Sequence, residues 1–76
     1  MSPRLPRITA SDLLRVLQRE GWQVKRHAGS HMQLKHPGRP GRVTIAYHPG
    51  DSIKPKVLLS VLEQAGLTAD ELRRLL

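Results

Sequence analysis

Three of the four histidines lie within the eleven residues RHAGSHMQLKH, residues 26–36, around a Gly-Ser pair. Imidazole changes charge near neutral pH, so a neutral ring can accept a proton and a charged ring can donate one. Lysines and arginines flank these histidines, and a fixed cation stabilises negative charge that develops on a phosphate. The stretch therefore predicts proton transfer on a phosphodiester.

Metal chemistry is the main alternative use of the histidines. Their spacing matches no pattern of zinc ligands, and the chain has no cysteine. All six acidic residues fall in predicted helices or loops, so the histidine-rich strands lack the carboxylates of a two-metal nuclease. Ser30 has no nearby aspartate that would make it a nucleophile. The sequence predicts no metal and no cofactor.

The net charge indicates the partner class. Thirteen Lys and Arg against six Asp and Glu give a formal charge of +7 over 76 residues, the length of one small domain. Such a surface favours binding of polyanions, and nucleic acid is the leading candidate. The alternative is a basic surface that only keeps the protein in solution. The absence of cysteine, of a signal-like apolar run and of any segment of membrane-spanning length predicts a soluble, cytoplasmic protein.

Three helices are predicted from apolar residues at helical spacing, over residues 10–20, from residue 55 and from residue 69. Each has a start signal, and the first two have a glycine stop. The starts are Thr9 with Asp12, Pro55, and Thr68 with Glu71; the stops are Gly21 and Gly66. Residues 1–8, with two prolines and two arginines, predict a basic and flexible arm before a single domain over residues 9–76.

Three strands are predicted between the first two helices, over residues 22–27, 31–36 and 42–48, because apolar and polar residues alternate there. Residues 28–30 make a turn, and PGRPG, residues 37–41, makes a loop. A slip of one residue in register would reverse the faces. The residues predicted to face outward are Gln23, Lys25, His27, His31, Gln33, Lys35, Arg42, Thr44 and His48.

The element order α-β-β-β-α-α indicates an α+β fold with helices on one face of a three-stranded antiparallel sheet. The two large aromatic residues, Trp22 and Tyr47, fall on the inward side, so the open face lacks an aromatic platform for stacked bases. An RNA strand would offer this face phosphates and a 2′-hydroxyl that is an internal nucleophile. The residues alone do not decide whether His31 is a catalyst or a strand-edge side chain that is hydrogen-bonded to the turn. His27 and His36 are interpreted as solvated polar side chains.

The segments GWQVKRHAGSHMQL and RVTIAYHPGDSIKPKVLLSVLEQAGLTADEL resemble the HicA (YcfA-like) toxin family of bacterial type II toxin–antitoxin pairs. The resemblance covers the chain from about residue 9 onward. It implies a fold similar to the double-stranded-RNA-binding domain and a metal-independent endoribonuclease that cleaves mRNA. The essential histidine of its Gly-Ser-His turn maps onto His31. It also implies a HicB-type antitoxin that covers the active face and joins the toxin in repressing their operon, so that DNA is contacted only through the complex.

Together, the residues and the resemblance predict His31 as the general acid/base. His48 is the weaker second candidate, and cleavage through the 2′-oxygen would leave a 2′,3′-cyclic phosphate. The predicted RNA-binding residues are Lys25, Gly29, Ser30, Lys35 and Arg42, of which Gly29 and Ser30 also shape the turn.

Two positions depart from the family pattern. The family more often has proline at the position of Ala46 and glycine at the position of Lys56. They indicate a diverged member with altered substrate or activity. The rival hypotheses are a module that binds double-stranded RNA without cutting it, and a DNA-binding or purely structural subunit. No predicted helix has a basic recognition face, which disfavours the DNA-binding reading.

Overall fold

The computed structural model describes residues 5–76 and contains six elements. In chain order these are α1 (Ala10–Arg19), β1 (Gln23–Ala28), β2 (His31–His36), β3 (Arg39–Ala46), α2 (Pro55–Ala65) and α3 (Ala69–Leu75). The strands form one antiparallel sheet in the order β1-β2-β3. The predicted α+β fold is confirmed, and it is consistent with a domain like those that bind double-stranded RNA.

Two of the helices begin with the predicted capping boxes. The Thr9 hydroxyl accepts a hydrogen bond from the Asp12 N–H at 3.2 Å, while the Asp12 carboxylate accepts one from the Thr9 N–H at 3.3 Å. Thr68 and Glu71 exchange the same pair of bonds, each 3.1 Å long, before α3. These bonds satisfy backbone donors that have no partner inside the helix, and so they fix where α1 and α3 begin.

The hydrophobic core lies between the inner face of the sheet and the three helices. Its fully buried members come from β2, β3 and all the helices, and burial of such side chains is the main stabilising term in a domain of this size. They include Leu13, Leu17, Leu34, Val43, Ile45, Leu58, Val61 and Leu72. Because the helices cover only the inner face, the other face of the sheet is open.

The connection between β2 and β3 is shorter than the sequence predicts. His36 pairs with Arg39, so the turn consists of Pro37 and Gly38 alone. Pro40 then lies inside β3, which is tolerated because β3 is an edge strand with one unpaired side. The prediction of a loop over residues 37–41 is wrong in its second half.

The chain is folded before residue 9. Ile8 is buried, its carbonyl accepts a hydrogen bond from the Ile53 N–H at 2.9 Å, and Leu5 packs against the core. Leu5 and Ile8 of the predicted arm therefore contact the domain, and the first four residues of that arm lie outside the described residues. No helix in the described part of the chain is long and apolar enough to cross a membrane.

Candidate active site

A β-bulge in β1 decides which residues reach the open face. Val24 pairs with Leu34, but the next pair is Arg26 with Gln33, so Lys25 is an extra residue in the strand. Paired residues in antiparallel strands share a face, so Arg26 lies on the open side with Gln33. Lys25 follows the inward Val24 and lies on the open side by alternation. The bulge thus puts two consecutive cations on one face.

The same bulge removes His27 from the open face. His27 pairs with Met32, which is buried in the core, and its ring lies edge-on to Tyr47 at a centroid distance of 5.8 Å. His27 is exposed but projects from the inner side of the sheet, so the prediction that it shares the open face with His31 is wrong, because simple alternation assumes a strand without a bulge. Arg26 was missed for the same reason, and a lone sequence gives no local signal for the extra residue.

We call the uncovered side of the sheet the open face. It contains four cations, two glutamines, one histidine and no carboxylate. Its residues are Gln23, Lys25, Arg26 and Ala28 of β1, His31, Gln33 and Lys35 of β2, and Arg42, Thr44 and Ala46 of β3. The predicted phosphate-contact residues Lys25, Lys35 and Arg42 are exposed there. Arg42 Nη1 donates to Gln33 Oε1 at 3.4 Å, which holds this guanidinium over the middle strand.

His31 occupies the middle strand at one end of this face. Its cross-strand partners are Ala28 on one side and Ala46 on the other, so small side chains flank the exposed imidazole in both directions. No hydrogen bond or ion pair engages its ring within residues 5–76. A bulky ligand can therefore approach both ring nitrogens.

The turn before His31 consists of Gly29 and Ser30, one residue shorter than the predicted turn over residues 28–30, because Ala28 pairs with His31. Gly29 has a φ of +59°, a left-handed conformation that L side chains rarely adopt and that suits the first position of such a turn. The Ser30 carbonyl accepts a hydrogen bond from the Tyr47 N–H at 2.6 Å, which extends the β2–β3 pairing past Ala46. Gly29 and Ser30 thus fix the backbone from which His31 projects.

His48 lies at the same end of the sheet as His31. His48 is exposed, and it lies two residues after Ala46, the cross-strand partner of His31. Diagonal neighbours in a regular ladder are about 7–8 Å apart, and the Tyr47 bond continues the ladder toward His48. His48 and Ala46 also line a cavity of about 320 Å³ between the end of β3 and α2.

Two residues that could have served the site instead hold the fold together. His36 Nε2 lies 2.7 Å from the Glu20 carbonyl, and Nδ1 accepts from the Gly38 N–H at 2.9 Å. Arg39 Nη1 donates to the Ala65 carbonyl at 2.9 Å and so caps the end of α2. His36 was predicted to be a solvated side chain, and that prediction is wrong because its contacts come from α1 and the hairpin turn.

No cluster of metal ligands accompanies the imidazoles. Within residues 5–76, no group of three or more His, Asp or Glu side chains is arranged to hold a metal ion. What the arrangement offers is an exposed imidazole, a second imidazole at the same end of the sheet, and four cations on the adjoining surface. These groups suit proton transfer and the neutralisation of a phosphodiester.

The family model described as "HicA toxin of bacterial toxin-antitoxin" matches residues 10–67, from the first residue of α1 to just after α2. No curated protein matches the chain.

Proposed function

Because the chain belongs to the HicA toxin family of bacterial toxin–antitoxin systems, we propose that it is an endoribonuclease that cleaves mRNA without a metal ion. The observation that supports this most is the setting of His31, which is exposed on the middle strand at one end of the open face, between two alanines. An imidazole with both nitrogens accessible beside a cationic surface is what phosphodiester transfer needs.

His31 is the general acid/base in this proposal. The neutral ring takes the proton of a ribose 2′-hydroxyl, the 2′-oxygen attacks the adjacent phosphorus, and the bond to the 5′-oxygen breaks. A protonated imidazole returns a proton to the departing 5′-oxygen, and His48 is the second candidate for this step. The products are a 2′,3′-cyclic phosphate and a 5′-hydroxyl.

The cations of the open face bind the RNA backbone. Along the open face, Gln33 lies between His31 at one end and Lys35 and Arg42 farther along. The bulge in β1 adds Arg26 to the predicted Lys25. Side chains at positions 31, 33 and 35 project from one strand toward the same side, so an extended RNA strand along β2 would meet them in turn. Phosphate contacts of this kind give affinity that falls as salt rises.

The partner we propose is a HicB-type antitoxin in the cytoplasm. A protein with a formal charge of +7 is attracted to an acidic surface as well as to RNA. An antitoxin that covers the open face would exclude RNA from His31. DNA would then be contacted only by the antitoxin complex.

A cleavage assay tests the proposed activity. Purified wild-type protein, His31→Ala and His27→Ala are incubated with model mRNA in excess EDTA, and circular dichroism verifies their folding. His27→Ala is a matched control, since it removes the same ring from the same hairpin but from the other side of the sheet. We expect cleavage by wild type and His27→Ala, cleavage about 10²–10⁴-fold slower by His31→Ala, and cyclic phosphate ends. Binding of duplex RNA without cleavage would instead favour a non-catalytic RNA-binding module.

A further inference from the structure

We propose that the cavity beside His48 is a nucleobase site that favours bases with an exocyclic amino group and disfavours uracil. The inference rests on the proposed function for its place in catalysis. The cavity lies at the end of the sheet that holds His31, because Ala46 is both a wall of the cavity and the cross-strand partner of His31. A nucleotide next to the cleaved bond would therefore have its base within reach of this cavity.

The size and walls of the cavity suit a single heterocycle. Its volume of about 320 Å³ is near the lower end of the range for small-molecule sites, about 300–1,000 Å³. Ala10, Ile53 and Val57 give it apolar walls, and His48, which also lines the cavity, has an aromatic ring of the kind on which bases stack. A phosphate would gain little from apolar walls, whereas the flat face of a base is buried by them.

The segment that forms the cavity is held in place before any ligand binds. The Ala10 N–H donates to the Asp51 carbonyl at 3.1 Å, and the Ser11 N–H and hydroxyl both donate to the Pro49 carbonyl, at 3.3 and 3.0 Å. The Asp51 N–H donates to the His48 carbonyl at 2.9 Å. These bonds fasten the connection after β3 to the first turn of α1. Because the walls are already ordered, little conformational entropy is lost when a ligand enters.

The polar groups of the cavity indicate which bases fit. Asp51 is the only acidic residue that lines the cavity, and its exposed side chain has no hydrogen bond or ion pair within residues 5–76. An ionised carboxylate only accepts hydrogen bonds, so it pairs with the amino groups of cytosine, adenine or guanine and repels the carbonyl groups of uracil. Lys54, a donor on the same rim, can satisfy a base carbonyl.

Titration with mononucleotides tests the site without depending on cleavage. Amide chemical shifts of the purified chain are followed during addition of cytidine 5′-monophosphate or uridine 5′-monophosphate, which have the same phosphate and ribose. We expect the cytidine nucleotide to bind about fivefold more tightly or better, with shifts at Ile53, Lys54 and Val57. Asp51→Asn should bring the ratio close to one, and Glu63→Gln, a carboxylate of α2 outside the cavity, should keep it.

Equal affinity for the two nucleotides, a ratio unchanged in Asp51→Asn, or shifts confined to Lys35 and Arg42 would overturn the base site. The last result would mean that only the phosphate is recognised. Mapping of cut ends in a random-sequence RNA pool adds a second readout, in which uracil should be depleted at one position beside the cut by wild type and not by Asp51→Asn. A chain that selects the cytidine nucleotide but cuts no RNA supports the base site and refutes the proposed cleavage. A chain that cuts with no such depletion refutes the base site alone.

Discussion

The two ends of β2 each have a histidine, and the two rings are in opposite situations. The ring of His31 is exposed and, within residues 5–76, free of hydrogen bonds. The ring of His36 contacts the Glu20 carbonyl and the Gly38 N–H, and it lies edge-on to Trp22 at a centroid distance of 5.4 Å. The two histidines are five positions apart, an odd number, so alternation along the strand sends them to opposite faces.

The difference shows what makes a histidine available for chemistry. The Gly38 N–H can only donate, so Nδ1 of His36 must be the acceptor and the ring proton must be on Nε2, facing Glu20. Both nitrogens of His36 are thus committed to the fold, whereas both nitrogens of His31 are open to a ligand. The residue type and the strand are the same, so the difference between the two rings comes from their neighbours alone.

The largest expected effect concerns the two faces of β2 between these histidines. Leu34 is fully buried and Gln33 points to the open face. Leu34→Ala should lower the free energy of unfolding by about 2–5 kcal/mol, because it leaves a cavity between sheet and helices. Gln33→Ala should change it by less than about 0.5 kcal/mol. Urea denaturation measures both, and a similar cost for the two changes would mean that the faces are assigned wrongly.

The next effect is that of His36 itself. His36→Ala removes two hydrogen bonds and the ring contact with Trp22, which should cost about 1–3 kcal/mol of unfolding free energy. His48→Ala, which removes an exposed ring, is the control and should cost little. Thermal denaturation followed by circular dichroism compares them. If both variants unfold at the same temperature as wild type, the structural role assigned to His36 is wrong.

A smaller effect separates two arginines of β3. Arg39→Ala breaks the bond to the Ala65 carbonyl and should cost about 1 kcal/mol of stability while RNA affinity changes little. Arg42→Ala should preserve stability, weaken RNA binding and reduce the slope of log affinity against log salt by about 1. Urea denaturation and salt-dependent RNA binding give the two readouts. Loss of stability in Arg42→Ala together with loss of RNA affinity in Arg39→Ala would contradict the geometry of β3.

The smallest effect is a pH dependence in α3. The hydrogen bond from the Thr68 N–H, together with the Thr68 hydroxyl, holds the pKa of Glu71 below its ordinary value of 4.5. A lowered pKa in the folded state stabilises the fold above pH 4.5, and this contribution is lost as the pH falls below that value. Glu71→Gln should therefore lose less stability between pH 7 and pH 3 than wild type does. Glu63→Gln should behave like wild type in the same urea titrations, and an identical acid loss in all three proteins would rule the effect out.

Local patterns in the sequence were enough for the helices and most of the sheet. Capping pairs such as Thr9 with Asp12 act between neighbours in the chain, and alternation located β2 correctly. The bulge at Lys25 was not predictable, because it depends on how β1 fits β2. The contacts of His36 with Glu20 and of Arg39 with Ala65 join distant segments. The positions of Lys35, Arg42 and His31 on the open face were predicted, but Arg26 was not.

Paired measurements on His31→Ala and His36→Ala test the contrast between the two histidines most directly. For each variant, the free energy of unfolding and the rate of RNA cleavage are measured at a temperature where the protein is folded. We predict that His31→Ala keeps wild-type stability and cleaves about 10²–10⁴-fold more slowly, while His36→Ala is destabilised and cleaves normally. Cleavage at the wild-type rate by His31→Ala, or loss of cleavage by folded His36→Ala, would contradict the assignment.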